Sequence, residues 1–236
     1  MSNQTLKTRL NFDHGHITYP GEVNEENALE LRNKVGELAD DYYYCRVEVE
    51  IVNNRGGLVS AMQMLGRKFK ELQARGVTVA TQGVGTVASA AAITLSSGTL
   101  SERSVISGTR LVYHLGRMQT NEIITSNTAQ IIGKQLEEID EETISALVNH
   151  ILPLAKCWEE KNSPSFQTSQ QAGWLWPLET ISDPAFKRLN LKSRRSASPQ
   201  ACAKHMFNTL LDIFAVDSVM KPETARALGL IDQINA

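Results

Sequence analysis

Apolar residues first recur at helical spacing over residues 25–38, where Ala28, Leu31, Val35 and Leu38 form one stripe on an otherwise charged stretch and predict an amphipathic helix. The period then changes to two. Val47, Val49 and Ile51 alternate with charged neighbours, the pattern of a half-buried strand, and the run Asn53-Asn54-Arg55-Gly56-Gly57 ends it. Helical spacing returns over residues 58–75 through Val59, Met62, Leu65, Phe69 and Leu72, with Gly76 where helices commonly stop. Residues 77–81 predict a second strand. Helix, strand, helix, strand implies a parallel sheet covered by helices, an α/β chain.

Further along, residues 83–98 run from a glycine-rich turn into small residues suited to a closely packed helix. Residues 105–106 and 111–113 predict two more strands around the turn Ser107-Gly108-Thr109. A long helix is expected over residues 121–154, with Ile124, Ile131, Leu136, Ile139, Leu147, Val148 and Ile151 on its apolar side. Its acidic run at residues 137–142 reads as a solvated face, because no His or Cys accompanies it. Residues 157–204 are rich in Ser, Gln, Pro and basic residues yet hold Trp158, Trp174 and Trp176, which argues for an inserted subdomain or surface cover rather than a linker. Residues 206–214 are helix-like, and the chain closes with a Pro-started short helix, a glycine stop and a final strand. The expected division is a core over 1–156, an insertion over 157–205 and a C-terminal return to the core over 206–236.

Charge narrows the function classes. With 24 Lys and Arg against 26 Asp and Glu, the 236-residue chain has no broad basic surface for nucleic acid. Cys45, Cys157 and Cys202 are odd in number and lack metal-ligand spacing, so they read as reduced thiols. No window reaches the length of a membrane span or a signal core, and a cytoplasmic, non-membrane protein is expected.

Three segments could carry chemistry. At Gly56-Gly57 a strand gives way to a helix through two residues without side chains, so a main-chain N–H can face a pocket. Ser89 would open a helix after a strand and a turn, where a hydroxyl is exposed; the competing reading is a capping or packing serine. His114 ends a strand 25 residues after Ser89 and could act as a general base. His14, His16, His150 and His205 have no comparable context, and no metal or organic cofactor is expected.

Taken together, residues 51–57 (IVNNRGG), 85–89 (GTVAS) and 103–114 (RSVISGTRLVYH) resemble the ClpP family, the proteolytic subunits of Clp protease. In that family a strand ending in Asn-Ser-Pro-Gly-Gly, a Gly-x-Ala-x-Ser turn and a strand ending in His follow in this order, and Arg103 and Arg110 also match. The resemblance covers about residues 17–155 and 214–234. Departures include Asn54 and Arg55 for Ser-Pro, Ala90 for the Met after the nucleophile, and Val216 for an Arg that helps lock two rings together.

The resemblance implies a ClpP/crotonase-like fold of repeated β-β-α units with a parallel sheet, a long handle-type helix and a C-terminal insertion. It implies a third triad member, and counting back from residues 229–232 (GLID) gives Asp217, with Asp212 as fallback and Asp183 less favoured. Ser89 would then be the nucleophile of a serine endopeptidase acting on unfolded polypeptide or peptides, His114 its base, and the N–H groups of Gly57 and Ala90 its oxyanion donors. Substrate would pair beside residues 57–60 as an added strand. A homo-oligomeric ring is implied, with an ATP-dependent unfoldase as partner, since the chain has no Walker-type loop of its own. Two other readings stay open: a crotonase-like acyl-CoA enzyme, and a catalytically inactive ClpP-like shell or scaffold subunit.

Overall fold

The apolar stripe predicted near the N-terminus becomes helix α1 (Glu25–Asp40), whose Ala28, Leu31, Val35 and Leu38 are all buried. The Asn24 side chain accepts the Asn27 N–H at 2.8 Å, and Glu25 and Glu26 in the first turn favour the same helix start electrostatically. The computed structural model describes residues 7–10, 15–41, 43–117, 125–162, 174–179, 181, 183–189, 191, 194–196, 198–216 and 219–236.

Strand β1 (Lys7–Leu10) runs antiparallel to β2 (Gly15–Pro20) at the sheet edge. From β2 the sheet continues in parallel through β3 (Arg46–Asn54), β4 (Thr78–Ala88), β5 (Arg103–Ile106) and, at the far edge, β10 (Gln233–Asn235). Strand β2 lay outside the predicted elements, although Ile17 and Tyr19 alternate with half-buried residues in the strand period. Helices α2 (Val59–Ala74) and α3 (Ala90–Ser96) pack with α1 on one face of the sheet. Ile17 and Tyr19 of β2, Val47, Val49 and Ile51 of β3, Val79 and Val87 of β4 and Val105 of β5 join the helices in the hydrophobic core.

Strand β4 corrects the expected glycine-rich turn: it continues through Gly83 and Gly85 to Ala88, 11 residues in all. Glycine usually weakens a strand, but here β3 pairs along almost the full length of one side. On the other side β4 pairs first with β5 at residues 81–83 and then with β6 (Arg110–Val112) at residues 86–88. The same strand thereby serves two neighbours, and the ladder outweighs the local cost of glycine.

The long helix α4 spans Ser126–Asn162; the predicted start at residues 121–124 lies outside the described residues. Ile144, Leu147, Val148, Ile151 and Ala155 anchor its second half in the core, whereas its first half buries no residue and leaves Ile131 51% exposed. Within the C-terminal region, β7 (Trp174–Trp176) and β8 (Arg194–Ser196) form an antiparallel pair, with a 3-10 helix at Pro184–Leu189 between them. Buried Trp176 donates its indole N–H to the Leu228 carbonyl at 3.0 Å and meets the His205 ring edge-on. Helix α5 (Pro199–Ala215), the short β9 (Val219–Met220) and α6 (Pro222–Ala227) then return the chain to the sheet, where β9 pairs antiparallel with β6. Arg103, fully buried, holds the last segment by a two-pronged ion pair to Asp232 at 2.8 Å and a further bond to the Ser96 carbonyl.

Candidate active site

The register of the sheet decides which sequence segments meet. Asn54 of β3 pairs with Val87 of β4, and Ala88 of β4 pairs with Val112 of β6, all in parallel. The carboxyl ends of three adjacent strands therefore lie side by side, and Gly56-Gly57, Ser89 and His114 follow them directly. Open α/β sheets form their sites at such strand ends.

Ser89 alone connects β4 to α3, and it does so with φ 57° and ψ −131°, a conformation rare for a residue with a side chain. Its N–H donates to the Val112 carbonyl at 2.7 Å, while its own carbonyl accepts from Ala92 at 2.9 Å and Ile93 at 3.2 Å. These bonds hold the strained turn. A capping serine would have extended backbone and a hydroxyl bonded back to the helix; Ser89 has neither. The helix-capping reading of Ser89 is thus set aside, and the side chain stands on a sharp strand-to-helix turn.

Both glycines of the neighbouring turn are required by contact. A Cβ on Gly56, where φ is +89°, would lie 2.5 Å from the Ser89 Cβ, 2.6 Å from the Ala88 oxygen and 2.9 Å from the Ala90 nitrogen. A Cβ on Gly57 would fall on the Val23 carbonyl oxygen. Val23 bonds to this turn twice, donating to the Gly56 carbonyl at 2.8 Å and accepting from the Leu58 N–H at 2.7 Å. Because a trans peptide points its C=O and N–H to opposite sides, the Gly57 N–H faces away from Val23. Neither that N–H nor the Ala90 N–H has an acceptor among the described residues. The expected pairing edge at residues 57–60 is narrowed: Val59 and Ser60 belong to α2, Val23 occupies the Gly56 carbonyl and the Leu58 N–H, and the Gly57 N–H is the group left facing the other side.

His114 is half-buried, and its Nδ1 lies 2.7 Å from the Leu115 carbonyl oxygen. A carbonyl only accepts, so Nδ1 donates to it, and in the neutral imidazole the lone pair then lies on Nε2, where a general base needs it. The strand end is clamped to α5: Tyr113 stacks on Phe214 with ring centroids 5.2 Å apart, and the Leu115 N–H donates to the Phe214 carbonyl at 3.1 Å. Burial pushes the Tyr113 hydroxyl up to about 12, and it hydrogen-bonds Ser96 at 2.8 Å.

Asp217 lies outside the described residues. On one side of it Phe214 bonds to Leu115, and on the other Val219 pairs with Val112. Asp212 is exposed on α5. Asp183 is occupied elsewhere, accepting from Thr224 at 2.8 Å and from the Ala185 N–H at 3.1 Å. Arg110 is exposed and Arg103 belongs to the core ion pair.

One acid near the site was not expected. Asp140 of α4 accepts the Gly116 N–H at 2.6 Å, two residues beyond His114, and lies within electrostatic reach of that imidazole. Desolvation raises its carboxyl above the ordinary range, opposed by the Gly116 bond and by His114. In the acidic run the four glutamates are exposed and Asp140 is half-buried, so the solvated-face reading holds for the former and fails for the latter. No local signal distinguishes it, since its partner is 24 residues away.

Among the described residues no group of three or more His, Cys, Asp and Glu side chains could hold a metal ion, and no helix is long and apolar enough to cross a membrane. The family model described as Clp protease matches residues 3–159, more than half of the 236-residue chain. No curated protein matched the chain.

Proposed function

The chain belongs to the Clp protease family and is, at that level, a ClpP-like peptidase; from this premise we propose that it is a serine endopeptidase with Ser89 as nucleophile, His114 as general base and Asp217 as the third triad member, whose charge stabilises the imidazolium. The observation that carries the reading is the backbone at Ser89. A turn at φ 57° and ψ −131°, far from the left-handed basin that non-glycine residues with positive φ usually occupy, leaves the hydroxyl uncommitted to its helix at an energetic cost of about 1–3 kcal/mol.

In this scheme His114 Nε2 removes the Ser89 hydroxyl proton as Oγ attacks a peptide carbonyl. The carbonyl π pair moves to oxygen, and the resulting anion is received by the N–H groups of Gly57 and Ala90. Collapse expels the amine, which takes the proton from His114 and leaves an acyl-enzyme; water repeats the sequence and frees Ser89. Loss of one such donor typically costs about 2.7–4 kcal/mol, so the glycine turn matters nearly as much as the nucleophile. Asp217 would stabilise the imidazolium, with residues 214 and 219 both tied to the strand that presents His114.

Substrates would be unfolded polypeptides or peptides, admitted to a chamber formed by a homo-oligomeric ring and fed by an ATP-dependent unfoldase. The exposed first half of α4, with Ile131 on its surface, fits a chain that assembles with copies of itself. The direct test is reaction of the purified chain with a fluorophosphonate, followed by mass spectrometry of the labelled peptide. Labelling at Ser89 together with loss of peptide cleavage in Ser89→Ala is expected. Unchanged cleavage by Ser89→Ala would remove that serine from the scheme.

A further inference from the structure

Asn54, the last residue of β3, is fully buried. Its Oδ1 accepts the Gly56 N–H at 3.0 Å, and its Nδ2 has no partner among the described residues. The orientation of the amide is not interchangeable, because the reverse would set two N–H donors against each other. A serine or threonine hydroxyl could accept the same N–H without burying an unpaired NH2 group, so the feature of this side chain that bears on the turn is its acceptor.

What the bond does secure is Gly56. This residue has no side chain, and nothing intrinsic restrains its φ and ψ. Asn54 pins it through its N–H, and Val23 pins it through its C=O. Those two grips together fix the plane of the following peptide and hence the direction of the Gly57 N–H. The same residue sits against Ser89 and Ala90 so closely that a Cβ would collide with both. We propose that Asn54 is a positioning residue of the oxyanion site: by holding the Gly56 N–H it aims the Gly57 amide at the point where the anion forms. The inference rests on the peptidase reading above and assigns Asn54 no contact with substrate.

An oxyanion donor acts in the transition state, so misaiming it lowers kcat while leaving KM in place. Asn54→Ala removes the grip, and Asn54→Ser offers a hydroxyl acceptor without the unpaired NH2. Peptide hydrolysis, fluorophosphonate labelling of Ser89 and amide hydrogen exchange at Gly56 would be measured on both variants of the full chain. For Asn54→Ala a kcat lower by about 10- to 100-fold with KM within about twofold is expected, along with labelling slowed to match and a faster-exchanging Gly56 amide. Asn54→Ser should recover most of the rate and melt no earlier than wild type. A labelled, active wild type beside an Asn54→Ala variant of equal kcat would overturn the proposal and leave the peptidase reading standing. Unchanged Gly56 exchange in Asn54→Ala would overturn it independently of any activity. A wild type that neither cleaves nor labels would instead sink the peptidase reading, and this role for Asn54 with it.

Discussion

Replacing Gly56 by alanine tests the packing on which the site depends. The added methyl would stand 2.5 Å from the Ser89 Cβ, 2.6 Å from the Ala88 oxygen and 2.9 Å from the Ala90 nitrogen. No flexible side-chain tip is available to yield; the turn carrying Ser89 must move, or Gly56 must. Ordinary contact begins near 3.4 Å, so relief requires a displacement of roughly 1 Å, enough to cost on the order of 100-fold in a positioned reaction. Overpacking of this kind costs about 1–3 kcal/mol, and a side chain at φ +89° adds about 1–3 kcal/mol more. The combined loss of about 2–6 kcal/mol is below the middle of the range of about 5–15 kcal/mol typical of a domain and lowers Tm by roughly 4–24 °C. Gly133→Ala is the control. Gly133 lies in α4 with nothing within 4 Å of its would-be Cβ, so the change should raise helix stability by about 0.5–1 kcal/mol and leave labelling untouched. Rates of Ser89 labelling and thermal melts of both variants decide the matter. Gly56→Ala with wild-type Tm and wild-type labelling would mean that the glycine turn does not press on the nucleophile turn.

Two further outcomes concern ionisation. His150 donates from Nε2 to the Gly98 carbonyl at 2.8 Å, and burial, with Arg103 and Lys70 nearby, pushes its imidazole from the ordinary 6.5 down to about 4. As pH falls below 6.5 the unfolded chain takes up the proton first, so this group's contribution is complete above 6.5 and is lost progressively toward pH 4. The loss amounts to about 3 kcal/mol once complete below pH 4 and about 2 kcal/mol by pH 4.5, and His150→Gln should abolish that part of the acid sensitivity in urea titrations at pH 7 and pH 4.5. Equal losses in both proteins would contradict it. Asp140→Asn keeps an oxygen for the Gly116 N–H but removes a carboxyl that desolvation raises above its ordinary range. The burial penalty on the charged form is present above the raised value and vanishes below it, so the variant should melt higher than wild type at neutral pH and show no gain in acid. A gain of the same size at both pH values would show that charge is not the cause.

How far the sequence alone could lead depended on whether a residue's role was local. The stripe of α1 and the alternation of β3 are local patterns, and both elements formed where the periods placed them. Strand β2 has the same alternation, yet its short run between His and Pro residues gave no boundary to mark it. In β4, glycine argued for a turn, but strand pairing on both flanks is a property of neighbours distant in the chain. Asp140 is the limiting case: among five acids in six residues, only contact with Gly116 separates it from its neighbours.

The same distinction explains why the glycine pair and Ser89 were ambiguous one at a time. A double glycine is compatible with any tight turn, and a serine before an alanine run is compatible with a helix cap. Their meaning comes from the register of β3, β4 and β6, which brings Gly56 against Ser89 and bonds Ser89 to Val112 two residues short of His114. Once these strand ends are adjacent, each residue restricts what the others can be. Gly56 must lack a side chain because Ser89 is there, Ser89 must turn sharply because its N–H is held by β6, and Asn54 must keep an acceptor because Gly56 cannot hold itself. The His114 tautomer follows from a carbonyl one residue away, which prepares Nε2 even without the charge of Asp217. An acid at position 217 would then contribute chiefly by stabilising the imidazolium, so Asp217→Asn should slow hydrolysis by less than the roughly 10⁴-fold seen where the acid alone sets the tautomer.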